Sequence, residues 1–168
     1  MRAIVPGLYG MMNAKWITDI EVVKGAYDGF WQRRGWTNVA TSQTGSTILT
    51  PSDSELRAKF SLSPSLTDVS GNQVAVAGVT FSGDRGIQKV EVSTDGGKTW
   101  QPASLYDPLS KYTWLFWRFG WNPPGSGSYK LTVRATDGQG NLQTATMTDP
   151  FPNGATGYQV VDVSVAAP

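Results

Sequence analysis

From Gly71 onward, apolar and polar residues alternate with a period of two in successive short runs. In NQVAVAGVTFSG, Val74 and Val76 fall on one face, and Ala75, Ala77 and Val79 on the other. In IQKVEVS, Val90 and Val92 point one way, which turns Lys89, Glu91 and Ser93 toward water. YKLTVRAT carries the cleanest signal: Tyr129, Leu131, Val133 and Ala135 alternate with Lys130, Thr132, Arg134 and Thr136. YQVVDVSV repeats it with Val161, Val163 and Val165 against Asp162 and Ser164. Side chains of a strand alternate between faces, so each run predicts a strand with one buried face. TDGGKT and TDGQGN read as turns between antiparallel neighbours, because Asp-Gly tolerates the positive φ of tight reversals. No helical period of useful length competes. The pattern predicts an all-β, immunoglobulin-like sandwich of the E-set type.

The chain before this region reads differently. ITDIEVV, with Ile17, Ile20, Val22 and Val23, predicts a short strand, while GAYDGFWQRRGW has turn and loop character. Between Thr41 and Ser70 the composition shifts to Ser, Thr and Pro, with a short strand expected around Thr47 to Leu49. Pro51 and Pro64 break any longer element. The expected division is an N-terminal extension over 1–45 and the sandwich over 46–168.

Composition narrows the chemistry. Fourteen Lys and Arg against 13 Asp and Glu leave a net charge of +1, which offers no basic footprint for nucleic acid or a membrane surface. The chain has no cysteine and no histidine. That removes disulfides, thiolate nucleophiles, Ser-His and Cys-His catalysis and the usual zinc or copper ligands. No apolar run approaches the roughly 18 residues of a membrane-spanning helix. Seven Trp, six Tyr and six Phe suit a sandwich core and interfaces.

Each candidate motif has a plain structural reading. Ser93 to Trp100 fits S-x-D-x-G-x-T-W, in which Asp95 bonds the amides of its own turn. It occurs once, so a hairpin is expected rather than a propeller blade. Asp137, Gln139 and Asn141 in DGQGN carry too few acids for a calcium loop, and a turn is expected. The strand TWLFWRFGW puts rings on both faces, through Trp114, Phe116, Trp117, Phe119 and Trp121. One face belongs to the core and the other to a partner surface or a sugar-stacking platform.

Five segments, in order, resemble the C-terminal third of the sulfite oxidase and nitrate reductase family of molybdopterin oxidoreductases. They are RAIVPGLYGMMNAKW, FWQRRGW, IQKVEVSTDGGKTW, TWLFWRFGW and YKLTVRATDGQGNLQ. The first looks like the last edge of the cofactor domain, and the rest like the family's immunoglobulin-like dimerisation domain. The resemblance implies that Arg2, before the VPG turn, and Lys15, before Trp16, help hold the anionic end of the pterin. It implies the same of Asn13 and Ala14. It further implies molybdenum-molybdopterin in the parent enzyme, none bound by this segment alone, an upstream cofactor domain as partner and a homodimer. The resemblance carries no nucleic-acid or membrane contact, and the segment by itself is expected to lack redox activity.

Two positions depart from the sulfite oxidase pattern. Trp36 stands in QRRGW where those enzymes place a tyrosine near the substrate. Asn153 stands in PFPNGATGY where they place an arginine. Both are expected on the substrate side, and their loss of a phenol and a cation leaves the reaction unfixed. The family's molybdenum ligand is a cysteine, which an upstream domain would have to supply. The rival reading is a stand-alone extracellular sandwich binding carbohydrate or protein through its aromatic strand. The RAIVPG…NAKW segment argues against it, since such a module has no use for it.

Overall fold

In the computed structural model, residues 1–51 and 73–165 are described. Two antiparallel sheets form around the alternating runs. β1 (Gly45–Thr50), β2 (Val74–Phe81), β6 (Leu115–Trp121) and β5 (Ser104–Leu105) make one sheet, in the order β1-β2-β6-β5. β4 (Gln101–Pro102), β3 (Ile87–Ser93), β7 (Gly127–Asp137) and β8 (Gln159–Val165) make the other, in the order β4-β3-β7-β8. The all-β immunoglobulin-like sandwich is thus observed. Its only helical turns among the described residues are short 3-10 turns at Gly10–Met12 and Gln32–Arg34.

The core is where the inner faces meet. Ile48, Val76, Trp117 and Trp121 from the first sheet pack on Val90, Val92, Leu131, Val133 and Ala135 from the second. Burial of apolar area at roughly 25 cal/mol per Å² drives this contact. Register explains the composition of β2 and β6: Gly78 lies opposite Trp117, so the smallest residue faces the largest ring. Val161, Val163 and Val165 of β8 pack against the same core, as their alternation predicts.

Several sequence-based expectations need correction. ITDIEVV forms no strand; Ile20 and Val22 are 83% and 96% exposed, because no neighbouring chain among the described residues pairs with them. Ser93 does not face water. It is buried, and its hydroxyl bonds Asp95 and the Gly97 amide, closing the turn after β3. Glu91 is largely covered by Arg134 (3.0 Å) and Lys89 (3.3 Å), while Arg134 stacks over Trp100 at 4.1 Å. The DGQGN turn does not open the next full strand: the returning chain makes only the bridge Thr136↔Leu142. β7 instead pairs with the later β8. The expected break at Pro64, most of the Ser/Thr/Pro connection and the terminal Pro168 lie outside the described residues.

The S-x-D-x-G-x-T-W turn is a structural hairpin linking β3 to β4. Asp95 accepts from the Thr99 hydroxyl (2.6 Å), the Thr99 amide (3.0 Å) and the Lys98 amide (3.0 Å). The Thr99 hydroxyl and amide, then the Ser93 hydroxyl, hold its carboxyl well below the usual carboxylate range. A depressed folded-state pKa contributes stability that is complete above the unfolded value, about 3.9, and is lost as pH falls below it. Asp95→Asn is therefore expected to destabilise the domain at neutral pH, with the gap to wild type closing as pH falls below about 4. Urea unfolding at a series of pH values measures this; a gap independent of pH would mean the charge contributes nothing.

Candidate functional site

The N-terminal extension is not a strand layer but a bracket held by a few long-range bonds. Arg2 and Lys15 are partners in an isolated antiparallel bridge, flanked by Ala3 N to Ala14 O (3.0 Å) and Trp16 N to Met1 O (2.8 Å). Directly paired residues of an antiparallel bridge project to the same side. The two cations are thereby brought together, both exposed, and no carboxylate among the described residues forms an ion pair with either. Two adjacent uncompensated cations repel one another, so the arrangement favours an anionic guest.

The remaining bracket residues have distinct tasks. Asn13 turns its carboxamide oxygen onto the Val5 amide at 2.9 Å, tying the two sides of the loop together. That leaves its NH2 group as the end that can donate outward. Ala14 is exposed and offers only backbone, its carbonyl already bonded to Ala3. Trp16 is a residue that sequence reasoning passed over. It adopts φ 53°, in the left-handed region that non-glycine residues rarely occupy, with its indole 85% exposed. Nothing in its residue type announces that backbone.

Trp36 and Asn153, the two residues expected on the substrate side, meet at a second cluster. Trp36 packs edge-on against Phe151, with ring centroids 5.3 Å apart, and tilts against Tyr9 at 6.3 Å. Tyr9 donates its hydroxyl to the Pro152 carbonyl (3.0 Å), and the Thr37 amide donates to the same oxygen (3.3 Å). Partial burial raises the Tyr9 phenol above its ordinary pKa, which keeps it a neutral donor. Asn153 lies next in the chain, exposed, its backbone carbonyl accepting from Gln43 at 3.1 Å. The structure therefore brings Trp36 and the Asn153 loop together through Tyr9 and Phe151. Tyr9 was not singled out from the sequence, and a contact spanning 143 residues leaves no local trace there.

The sequence of residues 43–151 matches the model of the Mo-co oxidoreductase dimerisation domain, which is more than half of the chain. The chain belongs to that family. Residues 1–31 match a second model, the oxidoreductase molybdopterin binding domain. Among curated relatives, mitochondrial sulfite oxidase of Rattus norvegicus is 29% identical over 158 residues, covering 88% of this chain and 29% of that enzyme. Sulfite oxidase of Arabidopsis thaliana is 26% identical over 162 residues, covering 85% of this chain and 40% of that enzyme. The dimerisation domain and its extension thus span well under half the length of these relatives. The crystal structure of the sulfane dehydrogenase SoxCD from Paracoccus pantotrophus superposes with a TM-score of 0.71 at 22% identity, over 96% of this chain and 43% of that one. That likeness supports the fold. Taken together, the matches place most of this chain in the dimerisation-domain family of the Mo-co oxidoreductases, and its first 31 residues with their molybdopterin-binding domain.

Proposed function

We propose that residues 1–45 form the last edge of a molybdopterin-binding domain, and that 46–168 dimerise the enzyme while buttressing that edge. Arg2 and Lys15 hold the anionic end of the cofactor, with the Asn13 NH2 group and the Ala14 backbone beside them. The observation that carries this reading is the bridge that sets two exposed, unpaired cations side by side. Their donor chemistry fits a phosphate or pterin oxygen, which takes guanidinium and ammonium hydrogen bonds well. It does not fit the metal: the chain has no cysteine or histidine, so molybdenum must find its protein ligand elsewhere in the enzyme.

When bound, the cofactor would supply the redox chemistry of the parent enzyme. This chain's residues bind and orient it. Trp36 and the Asn153 loop line the substrate side, where an indole presents one donor and no charge. The partner of the sandwich is a second copy, meeting it over the exposed rings of Trp114, just before β6, and Phe116 of β6. Apolar patches of this kind mark protein interfaces.

Charge-assisted hydrogen bonds contribute about 1.5–3 kcal/mol each, so losing one weakens cofactor binding roughly 10- to 150-fold. Lys15→Ala in the enzyme carrying its cofactor domain is therefore expected to lower molybdenum and pterin content per chain. Trp36→Tyr is expected to leave loading intact and to change substrate preference. Full loading in both Lys15→Ala and Arg2→Ala would overturn the cofactor assignment.

A further inference from the structure

We propose that Arg85 and Asp137 are a positioning pair, whose task is to fix the candidate cofactor loop, residues 2–16, against the sandwich. The inference rests on the assignment of that loop to the cofactor. Arg85 lies in the turn after β2, and Asp137 is the last residue of β7; their side chains are 16% and 2% exposed. Arg85 Nε donates to Asp137 Oδ2 at 2.8 Å. Its Nη2 donates to the Ser42 carbonyl (2.8 Å), the Ser82 hydroxyl (2.7 Å) and, more distantly, the Thr44 hydroxyl (3.4 Å). One guanidinium thus joins the end of β7, the β2–β3 turn and the segment that leads out of the extension.

From Ser42 the bonds run straight into the loop. The Ser42 amide donates to the Gly7 carbonyl at 2.9 Å, Leu8 bridges Thr41, and the Tyr9 amide donates to Ala40 O at 2.9 Å. Gly7 and Gly83 approach backbone to backbone. A Cβ on Gly83 would lie 3.2 Å from Gly7 O, and one on Gly7 would lie 3.3 Å from the Asp84 carboxyl carbon. Beyond Gly7, Val5 is tied to Asn13, and Ala3 to Ala14, directly beside the Arg2↔Lys15 bridge. Polar contacts joined through short stretches of backbone therefore connect Asp137 to the segment that carries Arg2 and Lys15.

The pair is poorly explained as a stabiliser of the sandwich alone. Desolvation of a buried ion pair offsets most of its attraction, so the net gain in stability is small. What it supplies is geometry: Asp137 Oδ1 accepts from the Gln139 and Asn141 amides, which leaves Oδ2 aimed at Arg85. Burial alone would raise the Asp137 carboxyl, but the Asn141 amide and Arg85 together outweigh it and hold it below its ordinary value. Only a planar fork can reach Asp137 with Nε and Ser42 with Nη2 at once.

The test uses Arg85→Lys, which keeps the charge but not the fork, and Asp137→Asn, with amide hydrogen exchange read residue by residue. Exchange at Ala3, Tyr9 and Ser42 is expected to quicken about tenfold or more, while Leu131 and Val133 of β7 change less than about threefold. The milder Arg85→Lys keeps the test open if Asp137→Asn does not fold. Equal acceleration at both sets of amides, or none at the loop, overturns the proposal. In the enzyme with its cofactor domain, both variants should also lower cofactor content. If Lys15→Ala loses cofactor and Arg85→Lys does not, the positioning role fails while the cofactor assignment stands. If Lys15→Ala and Arg2→Ala both load fully, that assignment fails and the proposal with it.

Discussion

Gly78→Ala is expected to destabilise the domain by about 3 kcal/mol or more, the upper range for overpacking a core and a large share of a typical domain's roughly 5–15 kcal/mol. Gly78 sits mid-way along β2, between Ile48 of β1 and Trp117 of β6. An added methyl would collide with the Thr47 carbonyl oxygen, and would lie 2.7 Å from the Trp117 ring and 2.9 Å from the Thr47 carbonyl carbon. Neither neighbour can retreat. Thr47 is backbone of a hydrogen-bonded strand, and Trp117 is fully buried with the second sheet behind it. The strain is purely steric, since Gly78 is not among the glycines with positive φ. Gly45→Ala is the control: at the start of β1, its added methyl would meet nothing within 4 Å. Denaturant midpoints compare the two, and a Gly78→Ala loss as small as that of Gly45→Ala would show that β1 and β6 separate more easily than their register implies.

How much of this was legible in advance depends on the range over which each interaction acts. The strands of β7 and β8 follow from period-two alternation, because one face of each meets the core. The Asp95 turn follows from its own eight-residue motif, since every hydrogen bond of the Asp95 carboxyl is local. Ser93 was misassigned to solvent because alternation assumes that polar means wet, whereas its hydroxyl is consumed by the turn that follows. Ile20 and Val22 mislead in the opposite sense. They are apolar yet exposed, because no described neighbour pairs with or covers them. The cofactor role of Arg2 and Lys15 comes from resemblance alone, and their pairing in a backbone bridge has no sequence signal. The Arg85–Asp137 contact spans 52 residues, and no pattern within either segment points to the other.

The two faces of β6 should respond to mutation in opposite ways. Trp117→Ala is expected to cost about 3–5 kcal/mol, the range for emptying a core aromatic site, and to leave the domain barely folded. The ring is fully buried among residues of both sheets, so little can collapse into the space. Trp117→Phe should cost far less. The Trp117 indole N–H is buried without a hydrogen-bond partner, so phenylalanine removes an unsatisfied donor along with part of the ring. Trp114, one residue before β6, lies outside the core, 54% exposed and stacked on Phe81 with centroids 6.0 Å apart. Trp114→Ala should change stability by less than about 1 kcal/mol, yet weaken self-association tenfold or more, as expected for an aromatic anchor at an interface. Urea unfolding reads the first effect and sedimentation equilibrium the second. If Trp114→Ala leaves self-association untouched while Phe116→Ala does likewise, the dimer forms elsewhere on the sandwich, and the open face of β6 serves another surface of the enzyme.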